Sequence, residues 1–121
     1  MTKSLEDYLE TVLLLEQHSG QARVTDIAEK MNVAKSSVHM ALHNLEGKGL
    51  LLHEKYGLLQ LTENGRKIAG EIYHRHTGLK KFFTTILGLD DKTAEDEACA
   101  VEHVLSDETI EKMLELANNK S

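Results

Sequence analysis

The sequence predicts a mainly α fold with one small two-stranded β wing, and three observations carry that expectation. Apolar residues recur at helical spacing in six segments. A single stretch around Lys55-Tyr56-Gly57 reads as two short strands and a turn. Proline is absent from all 121 residues, so glycines and side-chain caps must mark the element ends. Leu5, Tyr8, Leu9, Val12 and Leu13 line a first helix that ends near Ser19-Gly20. Thr25 is the expected cap of a short second helix carrying Ile27, Ala28 and Met31, and Asn32-Val33 turns the chain. A third helix starts at residues 34–36 and runs to 47–49, with Val38, Ala41, Leu42 and Leu45 facing inward.

Residues 50–54 and 58–61 form the wing. Thr62 caps a long helix, residues 62–86, whose inward stripe passes through Ile68, Ile72, His76, Leu79 and Phe83. Residues 88–91 are a loop and residues 92–104 a fifth helix. Ser106 or Asp107 caps a last helix bearing Ile110, Met113, Leu114 and Ala117.

Helix, tight turn, helix and hairpin in that order is the winged helix-turn-helix arrangement. The formal net charge of −6 at first argues against a nucleic-acid partner. Its distribution argues the other way. Residues 23–83 hold ten Lys/Arg against six Asp/Glu, a net of +4, whereas residues 84–121 hold three against ten, a net of −7. DNA responds to the local field, so a basic middle suffices. While the apolar side of the third helix packs, Lys35, Ser36, Ser37, His39, Met40 and His43 stay outward, as types suited to phosphate and base edges. Lys55 and Tyr56 at the wing tip suit backbone phosphate or the minor groove. The expected partner is double-stranded operator DNA.

The acidic end carries a second signal. Cys99, Glu102 and His103 stand at i, i+3 and i+4, which on a continuous helix places thiolate, carboxylate and imidazole on one face. Asp7 and Glu10 repeat the i, i+3 spacing near the N-terminus, and His76 adds a second imidazole. Carboxylates and imidazole suit Mn2+ or Fe2+, while a thiolate moves preference toward Fe2+, Co2+, Ni2+ or Zn2+. A lone cysteine excludes an internal disulfide and an all-sulfur zinc site. No signal peptide or membrane span is evident, the longest apolar run being residues 12–15, so a cytoplasmic protein is expected, with no membrane partner.

With these motifs in view, the chain resembles the diphtheria-toxin-repressor family of metal-dependent transcriptional regulators, which includes the manganese transport regulators. The resemblance is carried by Ser4-Leu-Glu-Asp-Tyr-Leu-Glu10, by Arg23-Val-Thr-Asp-Ile-Ala-Glu29 with Ser36-Ser37-Val38, by Leu61-Thr-Glu-Asn-Gly65, by Arg75-His76, and by Asp96-Glu-Ala-Cys-Ala-Val-Glu-His-Val-Leu-Ser106. It implies a homodimer that binds operator DNA when loaded with Fe2+ or Mn2+, one or two ions per subunit, and represses metal-uptake genes. Co2+, Ni2+ or Zn2+ would substitute in vitro. Residue by residue, Asp7, Glu10, His76, Glu102 and His103 match ligand positions of the manganese regulators, where glutamate stands in place of Cys99. Cys99, Glu102 and His103 match the primary triplet of the iron-dependent repressors, which carry methionine in place of Asp7. His76, with Glu95, corresponds to part of the iron repressors' second site, but Lys80 stands where they carry a glutamate ligand. The chain resembles the shorter members that lack an SH3-like third domain.

The organisation expected is therefore a winged helix-turn-helix DNA-binding domain over residues 1–72 and a helical metal-binding and dimerisation domain over residues 73–121, sharing the long helix. Metal is expected to tie the first helix to the dimerisation domain and set the spacing of the recognition helices. The stripe Ile110, Met113, Leu114 and Ala117 is the expected dimer face. Two other readings stay open at this stage: a metal-independent winged-helix regulator, and a small dinuclear metallohydrolase. The second lacks an evident pocket for a small organic substrate and a separate general acid, so no enzyme is expected.

Overall fold

The computed structural model describes residues 1–120, with the side chains of Lys55 and Lys120 outside the described set. Two compact units divide the chain, Met1–Ile72 and the residues from Tyr73 onward. The first contains helices α1 (Lys3–Ser19), α2 (Val24–Met31) and α3 (Lys35–Gly47) and strands β1 (Ala22–Arg23), β2 (Leu51–His53) and β3 (Leu58–Leu61). Helix α4 (Glu63–Thr85) begins in the first unit and continues into the second, followed by α5 (Asp91–Val101) and α6 (Asp107–Lys120). No helix of the described residues is long and apolar enough to cross a membrane.

In the first unit, Leu9, Val12, Ile27, Val38, Leu42, Leu45, Leu51 and Ile72 are fully buried and make one core. Helix α1 stops at Gly20, whose φ of 79° is open to glycine without penalty and whose N–H bonds back to Glu16. The turn between α2 and α3 passes through Asn32 at φ 55°, a left-handed position that asparagine tolerates.

The wing differs from expectation. Its sheet has three strands, ordered β1-β3-β2, because Ala22 and Arg23 pair antiparallel with Leu59 and Leu58. A strand of two residues is too short to show a period of two in the sequence. The same pairing delivers the chain directly into α2, which starts at Val24 without a side-chain cap, so Thr25 lies exposed inside the helix and is not its cap.

Thr62 does cap α4. Its hydroxyl accepts the Gly65 N–H at 2.9 Å and donates to the Gly49 carbonyl at 2.7 Å. That geometry presses the first turn of α4 onto the backbone leading into β2, and a Cβ on Gly65 would lie 1.9 Å from the Leu50 carbonyl oxygen.

In the second unit, Leu79, Ala98, Ile110 and Leu114 form a core with Phe83, Val101, Leu105 and Met113 against it. Gly78 lets α6 approach α4, since a Cβ there would meet Leu114 Cγ at 2.5 Å. The stripe expected as a dimer face is thereby covered inside the unit: Ile110, Leu114 and Ala117 are buried and Met113 is half-buried. The apolar side chains left exposed there include Leu87, Val104 and Leu116. Asp90 caps α5, its carboxylate accepting the Thr93 N–H at 2.7 Å, and these hydrogen bonds hold its pKa below the ordinary carboxylate value. The fifth helix ends at Val101, three residues short of expectation. Glu102 is its C-cap, and Val104 N–H turns back to the Val101 carbonyl.

Gly65 and Gly70 separate close approach from helix propensity. Gly65→Ala should lower stability by about 1–3 kcal/mol or more, because backbone must move. Gly70→Ala meets open space and should raise it by about 1 kcal/mol. Denaturant melts of the two variants check this, and equal effects would contradict the packing described.

Candidate metal centre and nucleic-acid face

Glu102 is the focus of the second unit. Its carboxylate is fully buried, and among the described residues neither oxygen is in hydrogen-bonding geometry with a partner. Yet each oxygen faces an imidazole. Oε2 lies 3.3 Å from His76 Nδ1, and Oε1 lies 3.0 Å from His103 Nε2. Leaving a buried carboxylate without aligned donors is costly unless a positive charge compensates it. Two ligands on one ion stand about 3.0 Å apart in an octahedron and about 3.3 Å apart in a tetrahedron when bonds are about 2.0–2.1 Å. The spacings around Glu102 therefore fit donors to a divalent cation, and the orphaned carboxylate supplies the charge such an ion needs.

Helix α4 and the end of α5 place these side chains. His76 projects from α4 on the same stripe as Leu79. Glu102 is the C-cap of α5, still in the right-handed helical region with its N–H on the Ala98 carbonyl, so it stands one turn after Cys99, while His103 lies in the turn that follows. Glu102 extends the buried stripe of Ala94 and Ala98 at four-residue spacing and is 2 % exposed. Cys99 is half-buried on α5. Among the described residues it belongs to no group of three or more His, Cys, Asp and Glu donors within 4.8 Å of one another. Asp7 and Glu10 stand one turn apart on α1 in the first unit, half-buried and buried respectively.

Two residues outside the expected ligand set touch this centre. Glu95 Oε1 lies 2.7 Å from His76 Nε2, and Glu95 Oε2 lies 3.5 Å from Lys80 Nζ. Spacing does not reveal them as a group, because the contacts join α4 to α5 across 19 and 15 residues of sequence.

In the first unit, Lys35, Ser36, Ser37, His39, Met40 and His43 are all exposed on α3, with Met40 at 76 %. Ala34 gives α3 no side-chain cap, so no capping side chain competes for its N-terminal amides beside Lys35, an arrangement that suits phosphate. His39 stacks on His53 of β2 with ring centroids 5.9 Å apart, joining recognition helix to wing. Tyr56 is 90 % exposed at the wing tip with φ 63°. The Arg23 guanidinium donates to the Tyr56 carbonyl at 2.8 Å and steadies that strained turn. Arg23 was not among the expected contact residues; only the unseen strand β1 brings it to the wing. The Lys55 side chain lies outside the described set.

Comparison with known proteins fits both halves. Residues 1–59 match the family described as iron dependent repressor, N-terminal DNA binding domain, and residues 62–120 match iron dependent repressor, metal binding and dimerisation domain. The chain belongs to the iron-dependent repressor family, whose members are metal-dependent DNA-binding transcriptional repressors. An uncharacterised HTH-type transcriptional regulator of Methanocaldococcus jannaschii is 38% identical over 114 residues, covering 93% of this chain and 91% of that protein. Among solved structures, IdeR of T. acidophilum is 25% identical with a TM-score of 0.83, over 93% of this chain and 53% of that one. A manganese-dependent transcriptional repressor in complex with manganese is 28% identical with a TM-score of 0.83, over 94% and 52%. The chain spans about half the length of these solved structures.

The buried carboxylate has a thermodynamic signature. Metal-free Glu102→Gln should be at least as stable as the metal-free wild type, because an ion without aligned donors is replaced by a neutral amide. Mn2+ at about 100 times its Kd should stabilise the wild type by about 2.7 kcal/mol and the variant by far less. Thermal melts with chelator and with Mn2+ measure both.

Proposed function

We propose that the chain is a homodimeric repressor of metal-uptake genes that binds operator DNA when Fe2+ or Mn2+ is held around Glu102. The observation that carries this reading is the buried Glu102 carboxylate with one imidazole nitrogen at each oxygen, in a chain whose other unit is a winged helix-turn-helix. His76, Glu102 and His103 hold the ion, and Asp7 and Glu10 are the carboxylates recruited from the first helix. Glu102 presents a different oxygen to each imidazole, which favours a carboxylate shared between two ions over a single-ion site. The donors of these five residues are carboxylate and imidazole, a set that suits Mn2+ and Fe2+. Bound there, a divalent ion supplies the positive charge that lets these carboxylates gather.

The residues do the rest. Asp7 and Glu10, by joining the Glu102 centre, restrict how the recognition helix of one subunit stands toward that of its partner. In a two-fold dimer the two helices then reach half-sites about 34 Å, or a multiple of that, apart. The exposed Leu87, Val104 and Leu116 are the apolar side chains available for the dimer contact. On DNA, Lys35 holds phosphate, while Ser36, Ser37, His39, Met40 and His43 meet base edges and Lys55 and Tyr56 meet the flanking backbone.

Operator affinity measured with Mn2+, with Fe2+ under anaerobic conditions, and with chelator tests the reading. Metal should tighten binding by roughly 5–150-fold, and operator should tighten metal binding by the same factor. His103→Ala should remove the metal response while leaving fold and dimer intact, and Cys99→Ser should leave the Mn2+ response unchanged. A full response in His103→Ala would place the site elsewhere, and chelator-insensitive binding by the wild type would make the protein a metal-independent regulator.

A separate measurement addresses the DNA face. Lys35→Ala should weaken binding to all sequences and shallow the salt dependence by about one phosphate contact, whereas Met40→Ala should change preference among operators. Unchanged salt slopes in the lysine variant would move the phosphate contact off α3.

A further inference from the structure

We propose that Glu95 is a positioning residue for the metal site: with Lys80 behind it, Glu95 locks His76 in the tautomer that presents Nδ1 toward Glu102. This inference rests on the metal-site reading above. Glu95 Oε1 lies 2.7 Å from His76 Nε2, within strong hydrogen-bond range. An ionised carboxylate only accepts, so the ring nitrogen facing it carries the proton. In a neutral imidazole the other nitrogen then holds the lone pair, and that nitrogen, Nδ1, is the one 3.3 Å from Glu102 Oε2. Two electron-pair donors so placed are satisfied by a shared cation. The opposite tautomer would set a lone pair against Glu95 and spend Nδ1 on a proton.

Glu95 is held for this task and engaged on both sides. Its second oxygen pairs with Lys80 Nζ at 3.5 Å, and Lys80 lies on α4 one turn after His76. Lys80 and Glu95 are 37% and 48% exposed, His76 12% and Glu102 not at all. A half-exposed ion pair thus reaches a buried carboxylate through one imidazole. Histidines that bind metals characteristically give their second N–H to a carboxylate, which fixes the ring and raises its basicity. Glu95 belongs to no group of three or more metal-donor side chains within 4.8 Å of one another among the described residues.

The test reads the ring directly. Imidazole 15N spectra of the metal-free full chain, recorded above the histidine titration range and assigned with His76→Gln, should show His76 protonated at Nε2. Glu95→Gln, whose amide oxygen can accept the same bond, should keep that tautomer and bind Mn2+ within about threefold of wild type, whereas Glu95→Ala should mix the tautomers and lose about 10–100-fold in Mn2+ affinity. Lys80→Met should shift both readouts in the same direction, less far. An Nδ1-protonated His76 in the wild type would overturn the proposal. So would wild-type tautomer and affinity in Glu95→Ala, or equal damage from Gln and Ala, which would make Glu95 a ligand. Because the tautomer is read without metal, absence of Mn2+ binding by the wild type would sink the metal-site reading separately from this one.

Discussion

A carboxylate taken out of water must find either aligned donors or a positive charge, and Glu102 has its place in the second unit on that condition. Its oxygens face His76 and His103 at distances too close for indifference and in orientations that make no hydrogen bond. The surrounding packing holds it there. Gly78 admits Leu114, Leu114 and Ile110 cover Leu79 and Ala98, and Glu102 follows Ala98 one turn on along the same buried stripe. Net charge reinforces the condition, since residues 84–121 carry a net of −7. A stretch this acidic with a buried carboxylate in it favours a cation.

The first unit solves a different problem, that of holding a polar helix face outward on a rigid base. Helix α3 can expose Lys35, Ser36, Ser37, His39, Met40 and His43 because Val38, Leu42 and Leu45 are buried on its other side. The wing is tied at both ends: Thr62 and Gly65 close α4 onto Gly49 and Leu50, and Arg23 holds the carbonyl of Tyr56. Glu16 adds a third tie, accepting from Leu61 N–H and pairing with Arg66 at 2.9 Å. These contacts convert a short hairpin, marginal by itself, into a fixed edge beside the recognition helix.

Helical elements were legible because burial on one face imposes a period of 3.6 that survives in the sequence. The stripes of α1, α3 and α4, the stop at Gly20 and the cap at Thr62 follow from that. Strand β1 was not legible, since two residues carry no period, and Arg23 was lost with it. The α6 stripe was read correctly as apolar but assigned to the wrong cover. Periodicity reports that a face is buried, not what buries it, and the gap at Gly78 that admits Leu114 is invisible until two helices meet.

The sequence by itself determined the helical and wing segments, the outward face of α3, the basic middle and acidic end, and the donor chemistry of His76, Glu102 and His103 as candidates. Local propensity, side-chain chemistry and charge are properties of residues near one another in the chain. Tertiary structure alone decided that α5 ends at Val101, how Glu95 lies between His76 and Lys80, and that the α6 stripe is core. Each depends on side chains brought together from different elements, and distances through space are not written in spacing along the chain.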